Sequence, residues 1–205
     1  MIDLFIGIDP AYRVSGNAIA VFSKSKNTIF LGNFANLTDF VCYLDKLVKC
    51  KSETKKIIFI ENSLLQSGSF KPLKGLHISS VFDRGVSVGK NQGVSDLLFE
   101  ICKNVLFPSD IVRAISPKEK GAKLTTTNEL RNFAANFDIY PTIKLMANNK
   151  TITQDALDAA KIAILAHVSY KHAEAFVCAP ESNDTIENSI QNFNLLKVSY
   201  DTVVF

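Results

Sequence analysis

An apolar run that stops on a carboxylate sets the terms for this chain. It reads Phe5-Ile-Gly-Ile-Asp9-Pro-Ala-Tyr-Arg-Val-Ser-Gly-Asn17-Ala-Ile-Ala-Val-Phe22. Its first half has the continuous apolar character of a strand buried on both faces. Turn signals follow at Pro10 and Gly16, and Ala18 to Phe22 reads as a returning strand. An acid at the end of a central strand is costly unless a cation sits on it. Taken alone, Asp9 is better explained as a turn cap that accepts from nearby backbone amides. Its meaning therefore depends on which other acids can reach it.

A second strand of the same kind, Lys56-Ile-Ile-Phe-Ile-Glu61, also ends in an acid. Its four consecutive apolar residues predict a central parallel strand. Between the two acids, strands at about 17–23 and 28–34 form an antiparallel meander with the first. A helix over about 38–50 follows, with Phe40, Val41, Leu44, Leu47 and Val48 at helical spacing. Beyond Glu61, residues 62–84 read as a long loop, the kind that is usually functional in a compact domain. A helix is expected over about 91–106, a short strand over 110–115 and a basic loop over 116–123. Thr126-Thr-Asn-Glu129 starts a further helix that runs to about 137.

The last convincing element is Ala-rich and strongly helical, from Thr153 to His167. Asp155 and Asp158 lie three apart and so share one face of it. Ile162 and Leu165 continue that face, which marks it as the packing face. Acids in a first helical turn are ordinary dipole partners, but acids in line with a packing face are harder to explain that way.

If strands one and four are parallel neighbours, Asp9 and Glu61 meet at one sheet edge, and the last helix can bring Asp155 and Asp158 to the same place. Four converging carboxylates repel one another. A pair of hard divalent cations held by oxygen ligands resolves that repulsion. Two ions about 3.5–4 Å apart would clamp the attacking and leaving oxygens of a phosphodiester. No Cys or His belongs to the set, so soft-metal ligation is not required.

Ile6-Gly-Ile-Asp9-Pro, with Arg13-Val-Ser-Gly16, resembles the opening of RuvC-type Holliday junction resolvases. Ile58-Phe-Ile-Glu61 is similar to their second acidic strand, and Val88-Gly-Lys-Asn-Gln-Gly93 to the segment leading into the next helix. Asp155-Ala-Leu-Asp158-Ala-Ala-Lys-Ile matches their Asp-x-x-Asp-Ala helix. The four motifs occur in the family's order over about residues 4–170. The resemblance implies an α/β, RNase H-like fold: a mixed five-stranded sheet, with an antiparallel meander and parallel strands, flanked by helices. Residues 1–173 would form the nuclease domain and 174–205 a C-terminal extension with a terminal strand. It further implies a Mg²⁺-dependent endonuclease, with two ions per site and Mn²⁺ as a substitute, whose catalytic and metal-binding residues are Asp9, Glu61, Asp155 and Asp158. Its substrate would be a four-way DNA junction, cut symmetrically by a homodimer.

Three features depart from the family pattern. Ala11 stands where the family has glycine, the loop after Glu61 is longer, and the tail differs. They mark a divergent member of a cellular or phage lineage. An aromatic that wedges into the junction in the family has Leu64 at about its place, and Phe70 is the nearest aromatic.

A nuclease must also neutralise phosphates. The candidates are Arg13, Lys90, Lys118, Lys120, Lys123 and Lys161, with Lys71, Lys74 and Arg84 in the long loop. The net charge of +3 is too mild to prove nucleic-acid binding, so any basic surface must be local. The chain has no apolar run long enough to span a membrane, and Met1-Ile-Asp-Leu lacks a basic leader region. Its four scattered cysteines contain no Cys-x-x-Cys pair, which argues against zinc and fits a reducing, cytoplasmic compartment. Two other functions remain open. One is an RNase H-like nuclease acting on RNA–DNA hybrids or on branched replication or packaging DNA. The other is a non-catalytic junction-binding module.

Overall fold

The fold was analysed in a computed structural model, which describes residues 2–11, 16–50, 55–65, 78–147, 149–177 and 184–195. Three strands open the chain as an antiparallel meander: β1 (Leu4–Asp9), β2 (Asn17–Ser23) and β3 (Thr28–Phe34). Helix α1 (Leu37–Cys50) leads to β4 (Lys56–Glu61), which pairs in parallel with β1. After a 3-10 turn at Ser63–Leu65 and the long helix α2 (Ile78–Ile101), β5 (Ile111–Ile115) adds in parallel to β4. A four-residue helix α3 (Pro117–Lys120) and α4 (Thr127–Ala135) then precede β6 (Thr142–Leu145). The chain ends its described part with α5 (Gln154–Val177) and α6 (Ile186–Asn192). The architecture is thus α/β, a mixed sheet in the order β5-β4-β1-β2-β3-β6 flanked by helices.

The sheet has six strands, not the expected five. The additional strand, β6, pairs in parallel with the outer edge of β3, with Ile29 opposite Ile143. It is four residues long and half-exposed, so it carries little of the apolar signal that marks a buried strand. A second difference lies in α2. The expected loop over 62–84 gives way to helix at Ile78, and the helix expected over 91–106 ends at Ile101 in a π turn, Cys102–Leu106. Gly85, Gly89 and Gly93 interrupt the helical pattern, because glycine lowers helix propensity and supplies no side chain to an apolar stripe. The expected terminal strand falls mostly on residues 196–205, outside the described residues.

The two faces of the sheet divide by residue parity. Phe5, Ala18, Ala20, Phe22, Ile57 and Phe59 pack with α5 in one core layer. Leu4, Ile6, Ile8, Ile19, Val21, Ile58 and Ile60 face the other way, onto Phe40 and Leu44 of α1 and Leu98 of α2. Helix α5 is buried along most of its length, from Ala156 to Ala173, which explains why its sequence is apolar all round. α6 adds Ile190 to the same layer, together with Leu195. Among the described residues, no helix is long and apolar enough to cross a membrane.

Candidate active site

The central crossing sets the site. Helix α5 lies so close to β1 that a Cβ at Gly7 would stand 2.0 Å from the carbonyl oxygen of Ala159 and 2.4 Å from the amide of Ala163. Only glycine fits there, because both obstacles are backbone. Parity places Asp9, two residues after Gly7, on the same α5-facing side of the sheet. Asp158 immediately precedes Ala159 on the helix. In the neighbouring parallel strand Ile8 pairs with Ile60, so Asp9 and Glu61 follow side by side at the carboxyl ends of β1 and β4. The carboxyl edge of parallel strands is where α/β sheets commonly place their sites.

Asp9, Glu61 and Asp158 converge on a single cation, the ammonium of Lys120. Its Nζ donates to Asp9 Oδ2 at 3.2 Å and to Asp158 Oδ2 at 3.1 Å, and makes a still closer ion pair with Glu61 Oε2. The lysine is 3% exposed and Asp158 is wholly buried. The other oxygen of Asp158, Oδ1, accepts from the backbone amide of Leu124 at 3.0 Å. Burial raises the Asp9 carboxyl; the Lys120 charge opposes this, while Glu61 and Asp158 add to it, and the result is a pKa pushed up to about 7. Burial alone would lower the Lys120 ammonium, but Asp9, Glu61 and Asp158 together outweigh it and hold it above the usual lysine range.

Lys120 reaches this position because of local sequence. Ser116-Pro117-Lys-Glu119 forms a capping box: Ser116 Oγ accepts from the Glu119 amide, and Glu119 Oε2 accepts from the Ser116 amide at 2.7 Å. Pro117 at the first helical position starts the turn, and Gly121, at φ 76°, ends it in a conformation that favours glycine. Arg113 on β5 anchors the unit from below. Its guanidinium donates to Glu119 Oε1 at 2.9 Å and to the Ile190 carbonyl of α6 at 2.6 Å, and stacks over Phe59. On the other side of the site, Asn62 Nδ2 donates to Asp96 of α2 at 3.2 Å, and Asn62 Oδ1 accepts from the Leu64 amide.

The expected site residues fall into three groups. Asp9, Glu61 and Asp158 are brought together. Asp155 lies half-exposed one turn before Asp158, and none of the described contacts joins it to the other three. The lysines divide: Lys90, Lys118 and Lys123 are exposed, whereas Lys120, expected in a basic loop, and Lys161, expected beside Asp158 or a phosphate, are both buried. Lys161 is 4% exposed, donates to the Ala122 carbonyl at 2.8 Å and sits over the Phe133 ring. Burial lowers its ammonium to about 8, against the opposing pull of Asp158. Leu64 and its neighbour Leu65 are about half exposed beside the acidic edge. Arg13 and Phe70 lie outside the described residues.

Lys120 is buried among three acids where the sequence predicts a basic loop. A lysine between Lys118 and Lys123 reads as part of a solvated basic loop; the only hint was the cap pattern from Ser116 to Glu119, which makes this stretch a helix and turns one lysine inward.

An all-oxygen set of carboxylates around one buried cation suits a hard divalent ion such as Mg²⁺ or Mn²⁺. Among the described residues, no group of three or more His, Cys, Asp or Glu side chains is arranged to hold a metal ion. Asp9, Glu61 and Asp158 supply oxygen donors of the kind such an ion takes, around a position that the Lys120 ammonium fills. No known protein family, curated protein or solved structure matches the chain.

Proposed function

We propose that this chain is a metal-dependent nuclease of RNase H-like architecture. More particularly, we read it as a RuvC-type resolvase of four-way DNA junctions, divergent from the family's usual form. One observation carries the reading: Asp9, Glu61 and Asp158 arrive from two adjacent parallel strands and the helix packed on them at one buried cation position. The strand order supports it as well, with an antiparallel meander extended through β1 into parallel β4 and β5.

Asp9, Glu61 and Asp158 would hold the metal, with Asp155, one turn away, as the candidate fourth carboxylate. When bound, Mg²⁺ would supply an activated water and stabilise the departing 3′-oxygen. The chain's own residues hold and orient the ligands: the Leu124 amide fixes one oxygen of Asp158, and the Gly7 crossing fixes its distance from Asp9. Lys90, Lys118 and Lys123 would neutralise DNA phosphates without reading sequence, and exposed Leu64 and Leu65 would meet the junction at the acidic edge. A homodimer would present two such sites for symmetric cuts. Cys42 and Cys102 are free thiols, which supports a reducing, cytoplasmic setting.

A second reading, a non-catalytic junction-binding module, draws support from Lys120. Three acids would repel DNA unless neutralised, and here an ammonium does part of that without a metal.

Incubating the full chain with a synthetic mobile four-way junction, a fork and an RNA–DNA hybrid in Mg²⁺ distinguishes these readings. Paired nicks at symmetric positions in the junction support resolution. Preferential cutting of the hybrid or fork moves the protein to another RNase H-like activity, and tight junction binding without cleavage selects the binding module.

A further inference from the structure

We infer that Lys120 is a built-in antagonist of the metal: its ammonium occupies the cation position of the carboxylate site, and a divalent ion binds only as Lys120 is expelled. This rests on the reading of Asp9, Glu61 and Asp158 as metal ligands and adds to it how loading is controlled.

Three observations support it. First, the ammonium contacts one oxygen from each of the three acids, so it and a metal would compete for the same lone pairs. Second, the competitor is delivered by a unit of its own. α3 is only four residues long, closed by the Ser116–Glu119 capping box at one end and by Gly121 at the other, and apart from Lys120 itself it is tied to the sheet through the Glu119–Arg113 pair. With that second tie in place, the Lys120 side chain can swing out while Arg113 and the Leu124 amide keep the unit on β5 and α5. Third, charge requires a cation here: three buried carboxylates without one would repel one another. Lys120 lets them be assembled before any metal is present.

The consequence is quantitative. When only a fraction of molecules is competent to bind, the apparent dissociation constant is the intrinsic one divided by that fraction. Removing the ammonium should therefore tighten metal binding, although Lys120 stands among the acids as a favourable partner. Relaxing α3 should do the same to a smaller extent.

The test is titration of the full chain with Mn²⁺ alone, free ion being read by its paramagnetic resonance signal, for the natural protein, Lys120→Met, Ser116→Ala and Asp158→Asn. Lys120→Met should bind at least about tenfold more tightly than the natural protein, Ser116→Ala should shift in the same direction, and Asp158→Asn should bind weakly. In the natural protein, acylation of Lys120 followed by mass spectrometry should be slow without Mn²⁺ and fast at saturation, with exposed Lys118 and Lys123 as internal references. Equal or weaker Mn²⁺ binding by Lys120→Met overturns the antagonism while leaving the metal site standing. If neither the natural protein nor folded Lys120→Met binds Mn²⁺, the metal reading itself falls. Should Lys120→Met fail to fold, the acylation result decides: labelling of Lys120 that ignores Mn²⁺ overturns the inference.

Discussion

Gly7 and Ala159 are in contact through their backbones, and no side chain can come between them: a Cβ on Gly7 would lie 2.0 Å from the Ala159 carbonyl oxygen. A strand in the centre of a six-stranded sheet and a 24-residue buried helix meet there, and neither can give way cheaply. Gly7→Ala should therefore destabilise the protein by about 3 kcal/mol or more, at the upper end of overpacking costs. Urea unfolding would measure it. A loss under about 1 kcal/mol would mean that α5 is free to shift.

Asp158→Asn separates charge from shape. The amide oxygen can still accept from the Leu124 amide, so the fold should survive. On the proposed nuclease reading its lost charge removes a metal ligand, and several kcal/mol of transition-state stabilisation corresponds to about a thousandfold or more in rate. Junction cleavage should fall by that amount while gel-shift binding is kept. Cleavage at the natural rate would remove Asp158 from the chemistry.

Arg113 ties three elements together, since it is bonded to Glu119 beside α3's lysine and to Ile190 of α6 while lying on Phe59. Arg113→Leu leaves Glu119 without that partner and the Ile190 carbonyl with only the Phe193 amide as donor. Breaking a largely buried pair in this way should cost about 3 kcal/mol. The double variant Arg113→Leu, Glu119→Leu should recover part of that loss, because no charge is then left uncompensated. Denaturant midpoints for the two singles and the double give the coupling.

His167 gives the fold a pH dependence. It is buried between the rings of Phe5 and Phe22, and neither ring nitrogen has a hydrogen-bond partner among the described residues. Burial first, then the charges of Lys171 and Lys24, lower its pKa from 6.5 to about 4. A folded-state pKa below the unfolded one means that protonation favours unfolding. The stability tied to neutral His167 is full above about pH 6.5 and is lost as pH falls through about 4. His167→Leu should flatten the stability profile between pH 4 and 6.5, measured as urea midpoints across that window. An unchanged slope would assign the acid sensitivity to other groups.

The strands buried on both faces were legible because burial leaves no room for polar residues, and the acids at their ends stood out against that background. The pairing of Asp9 with Glu61 is thus legible in the sequence, whereas helical spacing marks Asp155 and Asp158 alike and, among the described contacts, only Asp158 joins them. β6 was not legible: Thr142-Ile-Lys-Leu145 is too short and too exposed to differ from a loop. The first half of α2 was hidden by its glycines. Lys120 was hidden for a different reason. Sequence gives a lysine's neighbours along the chain, whereas its burial here depends on three acids drawn from β1, β4 and α5.

Asp9 and Lys120 stand 111 positions apart, and Asp158 is farther on still. On a ribosome the chain emerges from the Asp9 end, so β1 can pair with β2 and β4 well before Lys120 and Asp158 exist. A growing chain thus carries Asp9 and Glu61 without their cation until Lys120 is made. The carboxylate cluster is therefore closed only after Asp158 has been made.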